Sequence, residues 1–161
     1  MRNSLIAMVL ATALTGGPAW SLSCMPPDAA RTFNWASDSE DTYSAFLGTL
    51  DFAPVSRPSG FDPNPDPVTR TARFSGSALG ADGFAPIPDR DIGLVLSCMA
   101  SWCGNLEPGT RVLAFAKRVA GGYEITVDPC YTEVFTDPAP EIVATVEACM
   151  RGGPCEPKPL R

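Results

Sequence analysis

TRVLAFAKRVAGGYEITVD, Thr110 to Asp128, decides the fold. Thr110 to Arg118 and Tyr123 to Asp128 are apolar, β-branched and aromatic over strand length, and Val119 to Gly122 between them carries two adjacent glycines where the chain can reverse. The two runs are expected to pair as an antiparallel hairpin.

Further strands lie upstream. Thr42 to Phe52, TYSAFLGTLDF, has strand composition and holds Gly48, a common sign of a bulge or a sharp bend. Val55 to Pro67 crowds proline with Ser, Gly, Asp and Asn and reads as a loop. Val68 to Leu79 sets Val68, Ala72 and Phe74 against Thr69, Thr71, Arg73 and Ser75, so one face is apolar and the other wet. Gly80 to Asp91 reads as a second Pro/Gly/Asp loop, and Ile92 to Cys98 as a short buried strand. Downstream the period changes. Ile142, Val143, Val146, Cys149 and Met150 recur at helical spacing, with Asp137 as the expected cap, Pro138 as the first residue and Gly152 as the stop, giving a helix over about 138–151. About five strands and a closing helix, without internal repeats, make a small closed or partly open barrel the economical architecture.

The amino-terminal segment has another purpose. Arg2 precedes an almost wholly apolar Leu5 to Leu14, and Gly16 to Ser23 bring small residues and a helix breaker, the layout of a secretory signal. The expected cut follows Ser21 or Ser23, leaving 140 or 138 of the 161 residues as one domain. The apolar run is shorter than the roughly 20 residues a membrane span needs, so no membrane insertion is expected after the leader is removed. Lipidation at Cys24 would call for an apolar residue at position 21, which is Ser21. The net charge is -6, with Lys117 and Lys158 the only lysines, which disfavours nucleic acid as a partner because nucleic acid rewards clustered Lys and Arg.

All six cysteines, Cys24, Cys98, Cys103, Cys130, Cys149 and Cys155, follow the leader. An even count in an exported chain reads as three disulfides, and six cysteines allow 15 pairings. The chain has no histidine. Ser-His and Cys-His dyads, the HExxH zinc site and the Cys2His2 finger are therefore absent, and no catalytic residue, metal site or cofactor is assigned. Asp62 to Asp66, DPNPD, imitates the start of a calcium loop, but Pro67 stands where that loop needs Gly and Arg73 where it needs Glu. Trp35, Trp102 and Tyr131 are candidates for a binding surface, with barrel packing as the competing use.

With these elements in place, the chain resembles the netrin-like module, in particular the amino-terminal domain of tissue inhibitors of metalloproteinases. Cys24-Met25-Pro26-Pro27 is similar to that family's second cysteine and Pro-containing segment, with Asp28 to Trp35 in the place of its short helix. Trp102-Cys103-Gly104 followed by VLAFA is similar to its Cys-Gly, loop and apolar strand, and the hairpin ending at Cys130 to the strand ending at its next paired cysteine. The resemblance implies a mainly β, OB-type five-stranded barrel with a short amino-terminal helix, beside the carboxy-terminal helix read above. Those inhibitors begin at Cys-x-Cys, and the first cysteine's amino group and carbonyl chelate a protease's zinc. Here Leu22 occupies that first place.

Reach pairs Cys149 with Cys155 across Gly152-Gly153-Pro154, and Cys98 with Cys103 across a short turn. Cys24 is left for Cys130, the pairing that the resemblance also implies. The expectation is an exported, non-enzymatic interaction module for a protein partner, a protease or an envelope component. Leu22, Cys24, Met25, Pro26 and Trp102 form its candidate partner-binding edge. A carboxylate-dependent hydrolase and a purely structural envelope protein are the alternatives.

Overall fold

The computed structural model describes residues 22–56 and 62–159. The expected leader, residues 1–21, lies outside the described residues. The elements in chain order are α1 (Ala29–Asp38), β1 (Tyr43–Asp51), β2 (Val68–Gly80), β3 (Gly83–Leu96), β4 (Cys98–Met99), β5 (Trp102–Cys103), β6 (Thr110–Val119), β7 (Gly122–Val127), β8 (Val134–Thr136) and α2 (Pro140–Met150).

Five strands close on themselves. The circuit runs β1, β2, β3, β7, β6 and back to β1; every pairing is antiparallel except β3 with β7, which is parallel. Counting only the long strands, the order is 1-2-3-5-4-1, an OB-type barrel. The hairpin that opened the sequence reading is β6–β7, reversed at Ala120-Gly121 with Gly121 at φ 88°. The free edge of β6 is shared: Lys117 to Val119 pair with β7, and Val112 to Ala114 pair with β8.

Alternation along β6 explains why VLAFA is buried throughout. Val112, Ala114 and Ala116 face into the barrel with Phe46, Leu50, Phe74, Ile92, Leu94, Ile125 and Val127. Leu113 and Phe115 face outward, where Ala29 of α1, Phe135 of β8 and Val146 of α2 cover them. A strand buried on both faces carries no polar alternation.

Four details correct the sequence reading. Gly80 to Asp91 is not a loop: β3 begins at Gly83 and carries Pro86 and Pro88. Over Gly83 to Asp91 it pairs with β2 alone, and the register slips between Phe74 opposite Arg90 and Gly76 opposite Ile87, so the prolines sit on a one-sided, bulged edge where missing N–H groups are tolerated. Gly48 marks a close crossing, since a Cβ there would collide with the Ser75 carbonyl oxygen and stand 2.7 Å from Phe74 Cζ. Asp137 does not cap α2. Pro140 biases Ala139 away from helical backbone, so Ala139 becomes the N-cap and the helix starts two residues later than Pro138. Val134 to Thr136, unassigned above, is the three-residue strand β8.

Three disulfides join Cys24 to Cys130, Cys98 to Cys103 and Cys149 to Cys155, with Cα–Cα distances of 5.3, 4.0 and 4.8 Å. They fit an oxidising environment. Among the described residues no helix is long and apolar enough to cross a membrane.

Candidate functional site: the Cys24–Cys130 edge

β7 ends at Val127, and the next five residues build one wall of a groove. Asp128 organises them: Oδ1 accepts from Cys130 N at 2.6 Å, and Oδ2 accepts from Thr132 N at 2.9 Å and from the Thr132 hydroxyl. Such short-range side-chain caps are what Asp supplies in turns. The turn puts Tyr131 at φ 52° and sends its hydroxyl to donate to the Asn105 carbonyl at 2.8 Å. The base of the β4–β5 hairpin is stitched to the same barrel end, because Ser97 N donates to the Val127 carbonyl at 3.0 Å and Gly104 N to the Ser97 carbonyl at 2.8 Å.

The facing wall is the amino-terminal segment. Cys24 is tied to Cys130, and Pro26 and Pro27 stiffen the approach to α1. Asp28 is the N-cap, its Oδ1 accepting from Arg31 N at 2.8 Å and its Oδ2 from Lys158 N at 3.0 Å. Partial burial would raise this carboxyl, but the donors from Lys158 and Arg31, with their charges, hold it below the usual range. Arg31 reaches back to the Lys158 carbonyl at 3.1 Å, so the carboxy-terminal strand of chain is strapped across the start of α1. Thr32 closes the two walls together, its hydroxyl donating to the Thr132 carbonyl at 3.0 Å.

Between the walls lies a groove of about 290 Å³ lined by Met25, Pro26, Pro27, Arg31, Trp35, the Cys130 staple and Tyr131 among others. Met25 is 56% exposed and Trp35 44%, the latter resting on Tyr43 with ring centroids 4.8 Å apart. Large apolar side chains at that exposure on one rim are the pattern of a recognition surface. The structure brings Met25, Pro26 and Cys24 together here, with Leu22 half-buried just upstream. Trp102 is not part of the lining: it stands on β5 opposite Met99, 49% exposed. Trp35 and Tyr131, the other two aromatic candidates, do line it.

Beside the groove, Glu133 is pushed up to about 7, first by desolvation and then by the neighbouring Asp128, while Lys117 opposes the shift. Asp128 is occupied by the donors of the turn, so the pair is a half-buried structural feature of the wall. Asp62 Oδ1 accepts from Asn64 N at 2.9 Å, which makes the calcium-like stretch a turn. Among the described residues no cluster of three or more His, Cys, Asp or Glu side chains is placed to hold a metal.

No protein-family model, no curated protein and no solved structure matches this chain.

Proposed function

We propose that the protein is an exported interaction module, periplasmic or secreted, that binds a protein partner along the groove between Met25–Pro27 and Tyr131. The observation that carries this reading is the exposed apolar rim of Met25 and Trp35 on a segment held by the Cys24–Cys130 disulfide, α1 capping and the Asp128 turn. A rim held this way loses little conformational entropy on binding, and exposed aromatic and Met side chains are the usual anchors of interfaces.

The resemblance to metalloprotease-inhibitor domains supplies the partner class: a zinc endoprotease, with an envelope component as the alternative. A mature chain starting at Cys24 puts its amino group on a disulfide-held residue, where it can ligate zinc; a start at Leu22 leaves two residues ahead of the staple and favours plain binding. Amino-terminal sequencing of the exported protein fixes the start. Titration of that protein against purified zinc endoproteases should give saturable inhibition that Met25→Glu weakens at least tenfold; a set of enzymes unaffected by either form removes the protease reading.

A further inference from the structure

The barrel's opposite mouth, at the start of β7, has a different chemistry. The inward faces run Val112, Ala114, Ala116 along β6, Leu96, Leu94, Ile92 along β3, and Val127, Ile125 along β7. One further inward step places Arg118, Arg90 and Tyr123 there. Tyr123 closes the apolar core, packing edge-on against Phe46 at 4.9 Å. Arg118 donates to its hydroxyl at 3.1 Å, and Ser44 of β1 lies near the same oxygen. The Arg118 and Arg90 guanidinium carbons stand 5.6 and 5.9 Å from the ring centroid.

Neither arginine takes part in an ion pair among the described residues, and Arg90 Nε is buried without a hydrogen-bond partner. For the half-buried Arg90 that is unusual in a chain where acidic residues outnumber basic ones 18 to 12, because a buried donor without an acceptor is costly, whereas Arg118 is exposed with its other donors open to a ligand. The field at the phenol oxygen already favours negative charge. Hydrogen bonds from Arg118 and Ser44 lead in holding the Tyr123 hydroxyl below its ordinary range, and the charges of Arg118 and Arg90 add to them.

We propose that this mouth is an oxyanion site, in which Arg90 and Arg118, with the Tyr123 and Ser44 hydroxyls, take one compact oxyanion: a free phosphate or sulfate, or a carboxylate presented by a bound protein. The planar fork of a guanidinium suits the oxygens of these groups. The chain's net charge of -6 disfavours an extended polyanion as the occupant. The site is separate from the Cys24 groove and does not depend on it.

The test follows the arginine side-chain resonances of the oxidised, leader-free protein by NMR. It is titrated at constant ionic strength with sodium phosphate, sodium sulfate and sodium acetate, with chloride as the balancing salt. The expected result is a saturable shift of the Arg90 and Arg118 signals with at least one anion, weakened at least tenfold in Arg90→Lys and Arg118→Lys, which keep the charge and lose the fork. Saturation by phosphate or sulfate assigns a free tetrahedral anion, and saturation by acetate assigns a carboxylate. Tyr123→Phe keeps the ring and removes the hydroxyl, so it decides the matter if a lysine variant does not fold; it should weaken binding severalfold. Shifts that never saturate, or saturation that survives these substitutions unchanged, overturn the proposal.

Discussion

Removing the Cys24–Cys130 disulfide, by the double substitution Cys24→Ser and Cys130→Ser, should be the most damaging loss of any staple. The bond spans a sequence separation of 106, against 5 for Cys98–Cys103 and 6 for Cys149–Cys155. In the chain-entropy description, a closed loop of that length restrains the unfolded chain by about 4.7 kcal/mol, and the short loops by about 2. Cys24 itself is exposed, so little packing is lost with the sulfur and the difference comes mainly from the unfolded state. A domain of this size has about 5–15 kcal/mol in total, so a third or more of it would go. Guanidinium unfolding followed by Trp fluorescence measures this, comparing the Cys24/Cys130 and Cys98/Cys103 double variants. The former should lose about 4–5 kcal/mol and gain a larger m-value from a more expanded unfolded chain. Equal losses from the two variants would mean that loop length does not set the stabilisation.

Three further outcomes are expected. Glu133 has a folded pKa of about 7 against an ordinary 4.5, so its contribution to stability is fully present below about pH 4.5 and is lost as pH rises through 7. Screening of a half-exposed carboxyl keeps that swing to about 1–2 kcal/mol, and Glu133→Gln should abolish it in urea titrations compared at pH 4.5 and 8. Asp28→Ala should cost about 1 kcal/mol through the lost N-cap; because the carboxyl is held low, that cost is seen above about pH 4 and fades as pH falls below it in thermal melts. Gly48→Ala drives a methyl into the backbone of Ser75 and Gly76, which cannot turn aside, and should destabilise by about 3 kcal/mol or more by calorimetry.

The parts of the fold that were legible are those with local causes. The β6–β7 turn announces itself in Gly121-Gly122, and the Cys98–Cys103 and Cys149–Cys155 pairs follow from a few intervening residues. Where tertiary pairing overrides composition, the sequence misleads. Pro86 and Pro88 look like loop residues until β2 offers a one-sided partner, and β8 is three residues long, a strand only because Val112 to Ala114 lie beside it. The groove shows the same division. Met25 and Pro26 are visible beside Cys24 and α1 carries Trp35 on the same wall, but Tyr131 joins them through a disulfide and the Thr32–Thr132 hydrogen bond, contacts about a hundred residues long. The Asp-Pro pair at 128–129 was the available turn signal for that wall. Arg118 and Tyr123 face each other in the β6–β7 hairpin, a local pairing, and the parallel β3–β7 pairing that closes the barrel brings Arg90 to the same mouth.

The Cys24-anchored groove is proposed to bind a protein. Its most direct test is site-specific photo-crosslinking in the source cell, with a photoreactive amino acid at Met25, at Trp35 and, as a control far along the chain, at Asp82. One discrete crosslinked protein shared by Met25 and Trp35 is expected, lost when Cys24 and Cys130 are both replaced by Ser, and absent from Asp82. No crosslink from either groove position, or the same products from all three, would contradict it.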